Sequence, residues 1–412
     1  MNTLDMLQRE YARLLIREGL NLQPGQRLVM SCPVERADFA RLCAEAAYDA
    51  GCAEVIMRWS YDALVRLKYL RAAAEVFDRV NPWEVLLADT VSAEGAAWLS
   101  VSAEDPENLR GVEPGRIRRA RIASGKALES FRVRETRNEF PWCVCSVPSE
   151  AWARKVFPAL DTSAAMARLW EEILKACRVA EGRDAVAAWR AHAGELRRRV
   201  EKLNGYDFKT LRYQNALGTD LTVELPEGHY WAGGAEKCVK SGVLFSANIP
   251  TEEVFTLPKR DGASGVVRAS KPLAYNGTVI ENLRFELKDG RIVDVRADTG
   301  LEVLKDAVSV DEGASYLGEV ALVPWDSPIS RSGVLFYNTL FDENASCHFA
   351  FGDAYPCIRG GEDMSREELK ARGANDSLTH VDFMIGTPDL SITGTTRGGE
   401  TVDVFRDGNF AF

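Results

Sequence analysis

Apolar residues recur at three- and four-residue spacing near the start of the chain. Leu4, Leu7, Tyr11, Leu14 and Leu15 fall on one stripe, which predicts an amphipathic helix over residues 4–18. After a turn at Pro24-Gly25 the pattern switches to a continuous apolar run, RLVMSC at 27–32, read as a buried strand. A helical stretch over 36–50 stops at Gly51, and a second strand-like run, AEVIMRW, follows at 53–59. Strand, helix and strand in that order predict parallel pairing, because antiparallel neighbours need no crossover. AWLSVS (97–102) and WCVCSV (142–147) extend the same theme, and residues 162–204 read as a charged helical connector. Beyond 207 short alternating runs are broken by turn residues: Gly218 before LTVEL, Asn276-Gly277, and Asp289-Gly290 between FELK and RIVDV. These are hairpin signals. The expected fold class is α/β: an N-terminal α/β domain with a mainly parallel sheet (1–185), then a β-rich α+β C-terminal domain (186–412).

The 412 residues are 46% hydrophobic and 27% charged, which excludes a disordered chain. The net charge of −10 argues against nucleic acid or an anionic membrane as a main partner. Nowhere do about eighteen apolar residues run together, and the first residues carry charges at Asp5, Arg9 and Glu10, unlike a signal peptide. The nine cysteines are odd in number and form no C-x-x-C, so reduced thiols in a cytoplasmic protein are expected. Cys143 and Cys145, two apart, read as core packing. The basic stretch from Arg110 to Arg137 is interleaved with glutamates and reads as a solvated helix face.

No G-x-G-x-x-G follows the first strand, and G-x-x-x-x-G-K-[ST], G-x-S-x-G and H-E-x-x-H are missing. The chemistry points instead to the last 160 residues or so. Only four histidines exist, at 192, 229, 348 and 380. His380 and Asp382, in THVDFMIG, are two apart on a strand-like run and so share a face. His348 follows Asp342 and Glu343 in LFDENASCHFAFG. Glu319 stands alone in SYLGEVALVP, a costly place for a carboxylate unless it is paired or bound to metal. Glu252 and Glu253 lie side by side in ANIPTEEVFTLP. Each taken alone has an ordinary alternative: a histidine satisfied by a local hydrogen bond, or a glutamate on an edge strand. Together they balance. Glu253, Glu319, Glu343 and Asp382 carry four negative charges, which two divalent cations would offset, with His348 and His380 as neutral ligands. Oxygen and nitrogen donors of this kind suit zinc, cobalt or manganese, and a metal pair suits hydrolysis.

At these segments the chain resembles the thermophilic metalloprotease family of cobalt- or zinc-dependent aminopeptidases, the aminopeptidase T, aminopeptidase S and PepS type. The likeness is carried by NLQPGQRLVM (21–30), TDLTVELP (219–226), NIPTEEVFTLP (248–258), EGASYLGEVALVP (312–324), SGVLFYNTLFDENASCHFAFGDAY (332–355), GANDSLTHVDFMIG (373–386) and GTTRGGETVDVFRDG (394–408). The resemblance implies release of N-terminal amino acids from peptides at a two-metal site. Its ligands would be Glu253, Glu319, Glu343, His348, His380 and Asp382, with Glu319 bridging. It also implies a homodimer, an N-terminal α/β domain joined to a C-terminal, metal-binding catalytic domain, and a tyrosine, Tyr355, close to the metals. Glu252 is the candidate general base, its alternative being a surface carboxylate or an anchor for the substrate N-terminus. Tyr355 is the candidate donor to the developing oxyanion, its alternative being a core tyrosine. Two other functions compete: a non-haem iron oxygenase using His348, His380 and Asp382, and a non-catalytic metal-stabilised binding protein. The oxygenase leaves three glutamates unexplained and reverses the usual order of H-x-D and lone histidine.

Overall fold

In the computed structural model, which describes every residue except 1, 2, 104, 276 and 277, the first apolar stripe is helix α1 (Thr3–Leu14), continued by a π-helical turn over Leu15–Gly19. The run at 27–32 is strand β1 (Arg27–Pro33), followed by helix α2 (Ala37–Asp49) and strand β2 (Glu54–Ser60). Gly51 ends this helical stretch with φ 88°, a left-handed conformation that costs glycine little. β1 and β2 pair in parallel, as do β3 (Ala97–Ser102), β4 (Trp142–Ser146) and a two-residue strand, β5 (Asn248–Ile249). The sheet order is β2-β1-β3-β4-β5.

The chain forms two units. One holds Met1–Ala193 with Ala235–Pro250, and the other holds Gly194–Gly234 with Thr251–Phe412. In the first, the basic stretch forms helices Pro114–Ala127 and Glu129–Thr136, neither with a fully buried residue. Arg116 pairs with Glu113 and Arg119 with Asp78 at its surface. All nine cysteines of the chain are buried and unbonded to one another. Burial pushes the Cys143 and Cys145 thiols upward, which keeps them protonated and unreactive.

The second unit contains an eight-stranded antiparallel sheet. It runs in the order Arg291–Arg296, Arg284–Lys288, Ala263–Arg268, Asp220–Glu224, Phe208–Gln214, Ser391–Thr396, Thr401–Arg406 and Asn409–Phe410. Asp289-Gly290 turns the first hairpin with φ 48° and 80°, as the sequence pattern requires. Gly218, φ 104°, lies in the turn between Phe208–Gln214 and Asp220–Glu224. Asn276-Gly277 lies outside the described residues, and the strands flanking it, Leu273–Tyr275 and Thr278–Ile280, pair antiparallel.

A four-stranded antiparallel sheet completes this unit: β6 (Val254–Thr256), β7 (Leu317–Leu322), β8 (His348–Gly352) and β9 (His380–Met384), in that order. One of its faces is apolar. Val254, Val320, Leu322, Phe349, Phe351, Val381 and Phe383 join one buried cluster with Tyr213 and Phe285 of the large sheet. Edge-to-face ring contacts, Tyr213–Phe349 at 4.9 Å and Phe285–Phe383 at 5.3 Å, fix the packing. Truncating a ring here to alanine would cost about 3–5 kcal/mol. This anchored layer is the rigid base on which the opposite face presents its polar residues.

Candidate metal centre

Strand pairing dictates which side chains share the other face. His348 lies opposite Met384, Ala350 opposite Asp382, and Gly352 opposite His380. On the neighbouring ladder Glu319 lies opposite Ala350 and Ala321 opposite His348. Directly paired residues project to one side of a sheet, so Glu319, His348, His380 and Asp382 all rise from this face. The small residues between them, Ala321, Ala350 and Gly352, leave room above the strands.

Glu319 reaches that face through an irregularity. The register shifts between Leu317, paired with Phe351, and Glu319, paired with Ala350. In an uninterrupted strand residues two apart share a face, so Glu319 would follow Leu317 into the core. The extra residue, Gly318, forms a bulge that turns the carboxylate out. A Cβ on Gly318 would stand 2.2 Å from the Asp353 carbonyl oxygen and 2.4 Å from that of Gly352, so only glycine fits.

The two oxygens of Glu319 face different imidazoles. Oε1 is 3.4 Å from His348 Nε2, and Oε2 is 3.4 Å from His380 Nε2. Glu253 Oε2 lies 3.1 Å from His348 Nε2, and Asp382 Oδ1 lies 3.3 Å from His380 Nε2. Donor atoms therefore gather in two groups that share Glu319: Glu253, Glu319 and His348, and Glu319, His380 and Asp382. Ligands about 2.1 Å from a tetrahedral ion stand about 3.4 Å from one another, which is the spacing seen.

Both imidazoles are oriented from behind. His348 Nδ1 donates to the Glu343 carbonyl at 2.9 Å, and His380 Nδ1 donates to the Asp353 carbonyl at 2.8 Å. Carbonyls only accept, so each Nδ1 keeps its hydrogen and each Nε2 is left for a proton or a cation. Burial alone would lower both histidines. The surrounding carboxylates, Glu253 and Glu319 for His348 and Asp382 and Glu319 for His380, overcome it and hold both well above the ordinary value.

Burial opposes ionisation of Glu319 as well, but hydrogen bonds from His348 and His380 prevail and hold it down at about 2. Glu253 is raised by burial, which outweighs His348. Glu343 is pushed well up by burial and by the negative charges of Asp382 and Glu253. This surplus of crowded negative charge is what a bound cation would relieve. Glu253 Oε2 is also fully covered and receives no well-directed hydrogen bond. The donor set, its spacing and this covered oxygen, 3.1 Å from His348 Nε2 without a well-directed hydrogen bond, all fit divalent metal.

Other candidates fall around this core. Glu252 is buried, 3% exposed, and its backbone N–H donates to Asn344 Oδ1 at 2.7 Å. Tyr355 stands edge-on to the His380 ring, centroids 5.8 Å apart, and against Phe255 at 5.6 Å. Asp342, next to Glu343, braces the backbone instead. Its carboxylate accepts from the N–H groups of Phe336 and Asn338, shaping the preceding loop. Burial raises it to about 6. Gly318, Asn344 and the two carbonyls behind the histidines escape a reading of the sequence. Carbonyls carry no residue identity. Asn344 had one available signal, an amide opening a run of small residues between two candidate ligands.

Residues 5–410 match the family described as thermophilic metalloprotease (M29). The chain belongs to that family. It is 47% identical over 403 residues to the aminopeptidase AmpS of Bacillus subtilis (strain 168), covering 98% of each chain. Its structure is similar to that of wild-type AmpT from Thermus thermophilus, with a TM-score of 0.92 and 40% identity over 99% of this chain and 100% of that one. A 2,5-dihydroxypyridine dioxygenase from Pseudomonas putida KT2440 shares the fold alone, with a TM-score of 0.54 and 11% identity over 100% and 98% of the chains. Among the described residues no helix is long and apolar enough to cross a membrane.

Proposed function

We propose that this metallo-aminopeptidase releases N-terminal amino acids from peptides at a pair of divalent ions, zinc or cobalt, with manganese a third choice by ligand chemistry. The observation that carries the reading is Glu319, whose two oxygens are each aimed at a different histidine. Glu253 and His348 would complete one seat and His380 and Asp382 the other; Glu343 falls in neither donor group, feels the charges of Asp382 and Glu253, and is the sixth candidate ligand. Bound there, two cations would lower the pKa of a water and polarise the scissile carbonyl.

The protein's own residues supply the rest. Glu252, adjacent to a ligand and not needed for charge balance, takes the proton of the attacking water and returns it to the leaving amine as the C–N bond breaks. Tyr355, beside His380, donates a hydrogen bond to the carbonyl oxygen as charge builds there. The second unit carries this catalysis. The dioxygenase that shares the fold is too distant to favour oxygen chemistry, and Glu253, Glu319 and Glu343 have no part in a two-histidine, one-carboxylate site.

A homodimer is part of the proposal. Helix α3 (Asp62–Arg71) has no buried residue. Near it in sequence, Trp83 and Leu86 are 66% and 68% exposed and Trp59 is 49% exposed. So much large apolar surface in one stretch supports association with a second copy. Nine unbonded cysteines support a reducing, cytoplasmic setting.

The test is hydrolysis of an aminoacyl-anilide before and after chelation. Activity is expected to vanish with chelator and to return with cobalt or zinc. Full turnover by protein shown to be metal-free by elemental analysis overturns the mechanism.

A further inference from the structure

Asn344 sits among the candidate ligands without being one. Its side chain is completely buried, and every polar atom of it is used. Oδ1 accepts the Glu252 N–H at 2.7 Å, across 92 residues of sequence. Nδ2 donates to the Leu340 carbonyl at 2.9 Å and reaches Glu343 Oε1 at 3.4 Å. An N–H on one side and two acceptors on the other admit only one orientation of the amide.

Sheet pairing explains how Glu319, His348, His380 and Asp382 are aimed. It does not explain Glu252, Glu253 and Glu343. The first two precede β6, and Glu343 opens a short helical turn, Glu343–Ala345, before β8. No ladder links these segments, and the Asn344 amide does so directly. A neutral amide also suits this position. It donates toward Glu343 and accepts from the Glu252 backbone without adding charge where carboxylates already crowd. Aspartate would have the same shape, but it would set an oxygen against the Leu340 carbonyl and a negative charge against Glu343.

We infer that Asn344 is a positioning residue of the metal centre: one buried amide sets the Glu252–Glu253 segment with its oxygen and Glu343 with its nitrogen. The inference rests on the two-metal reading above. Its consequence is that damage at Asn344 appears in the metal as well as in the fold. Partners of this kind outside the coordination sphere typically contribute 10–100-fold in metal affinity or activity.

The experiment is a cobalt titration of the parent, Asn344→Asp and Asn344→Ala. Stoichiometry, affinity and the visible cobalt spectrum are followed beside kcat and thermal melting. Ser327→Ala is the structural control. Ser327 Oγ donates to the Asn344 backbone carbonyl at 3.4 Å and caps a helix by accepting from Ser330 N at 3.0 Å, so its loss should lower melting and leave the cobalt spectrum unchanged. Both Asn344 variants are expected to bind cobalt roughly 10–100-fold more weakly with an altered spectrum. They should also lose kcat at saturating metal. A variant that folds only with excess cobalt gives the same answer, since its defect lies in the centre. Parent-like affinity and spectrum in a folded variant overturn the inference, as does a variant that folds neither with nor without cobalt. If the parent itself takes up no metal, the two-metal reading has failed, which is a different result.

Discussion

A Cβ on Gly318 would stand 2.2 Å from the Asp353 carbonyl oxygen. The close approach belongs to the bulge that turns Glu319 away from the core, so backbone crowding and ligand direction are one feature. Gly318→Ala should therefore fail twice. Overpacking of this kind costs about 1–3 kcal/mol, and relaxing the bulge removes Glu319 from both histidines. Melting and metal content measured together check this. A variant that is destabilised yet binds metal at full stoichiometry would show that Glu319 is aimed by something else.

Glu319→Gln is expected to keep the fold and lose both ions or nearly all turnover. An amide has one oxygen where the carboxylate shows two, and it lacks the charge that balances the cations. The loss should exceed the roughly 100-fold typical of residues outside the coordination sphere. Near-normal kcat with two ions bound excludes a bridging role.

Glu252 and Glu253 should fail differently when each becomes glutamine. Glu253→Gln should lower metal occupancy and recover in part at high metal concentration. Glu252→Gln should retain metal and lose about 10²–10⁴-fold in kcat, the range of general-base catalysis. The comparison needs metal stoichiometry beside kcat for each variant. Parent-like turnover in Glu252→Gln would assign the proton elsewhere.

The metal-free protein should lose stability as pH rises from about 5 to 8. Glu253 and Glu343 are raised in the folded state, so folding holds their protons and stability falls once pH passes the ordinary carboxylate value. His348 and His380, also raised, contribute stability that is complete below the ordinary imidazole value of about 6.5 and disappears as pH climbs through their folded values. Glu319, held at about 2, acts oppositely, but its contribution is lost only in strong acid. Cations replace those protons, so the gap in melting temperature between metal-loaded and chelated protein should widen with pH. A gap that narrows over this range refutes the electrostatic account of the centre.

Much of the architecture is legible where burial leaves a pattern. RLVMSC is apolar because β1 lies inside its sheet and is buried, whereas AEVIMRW forms the half-exposed edge strand beside it, and Asp289-Gly290 declares its hairpin because few other residues accept its backbone angles. The candidate ligands stand out for the opposite reason, as charged residues in apolar runs. What stays hidden is relational. Asn248–Ile249 is too short to carry a period. The bulge at Gly318 looks like any glycine in a strand, and without it simple alternation would bury Glu319. The carbonyls of Glu343 and Asp353 orient the histidines and leave no mark in the sequence. Asp342 and Glu343, adjacent and chemically alike, divide into a loop brace and a candidate ligand only once the turn between them exists.

The parallel sheet of the first unit draws its last strand, Asn248–Ile249, from beyond a stretch assigned to the other unit. A ribosome working at about 5–20 residues per second delivers that strand seconds after the preceding one, Trp142–Ser146. During the delay the edge of that strand stands open, an invitation to pair with a neighbouring nascent chain. A gene truncated after residue 193 makes the delay permanent. Such a fragment should be recovered mainly as aggregate, and supplying residues 235–250 on a short graft should return it to the soluble fraction.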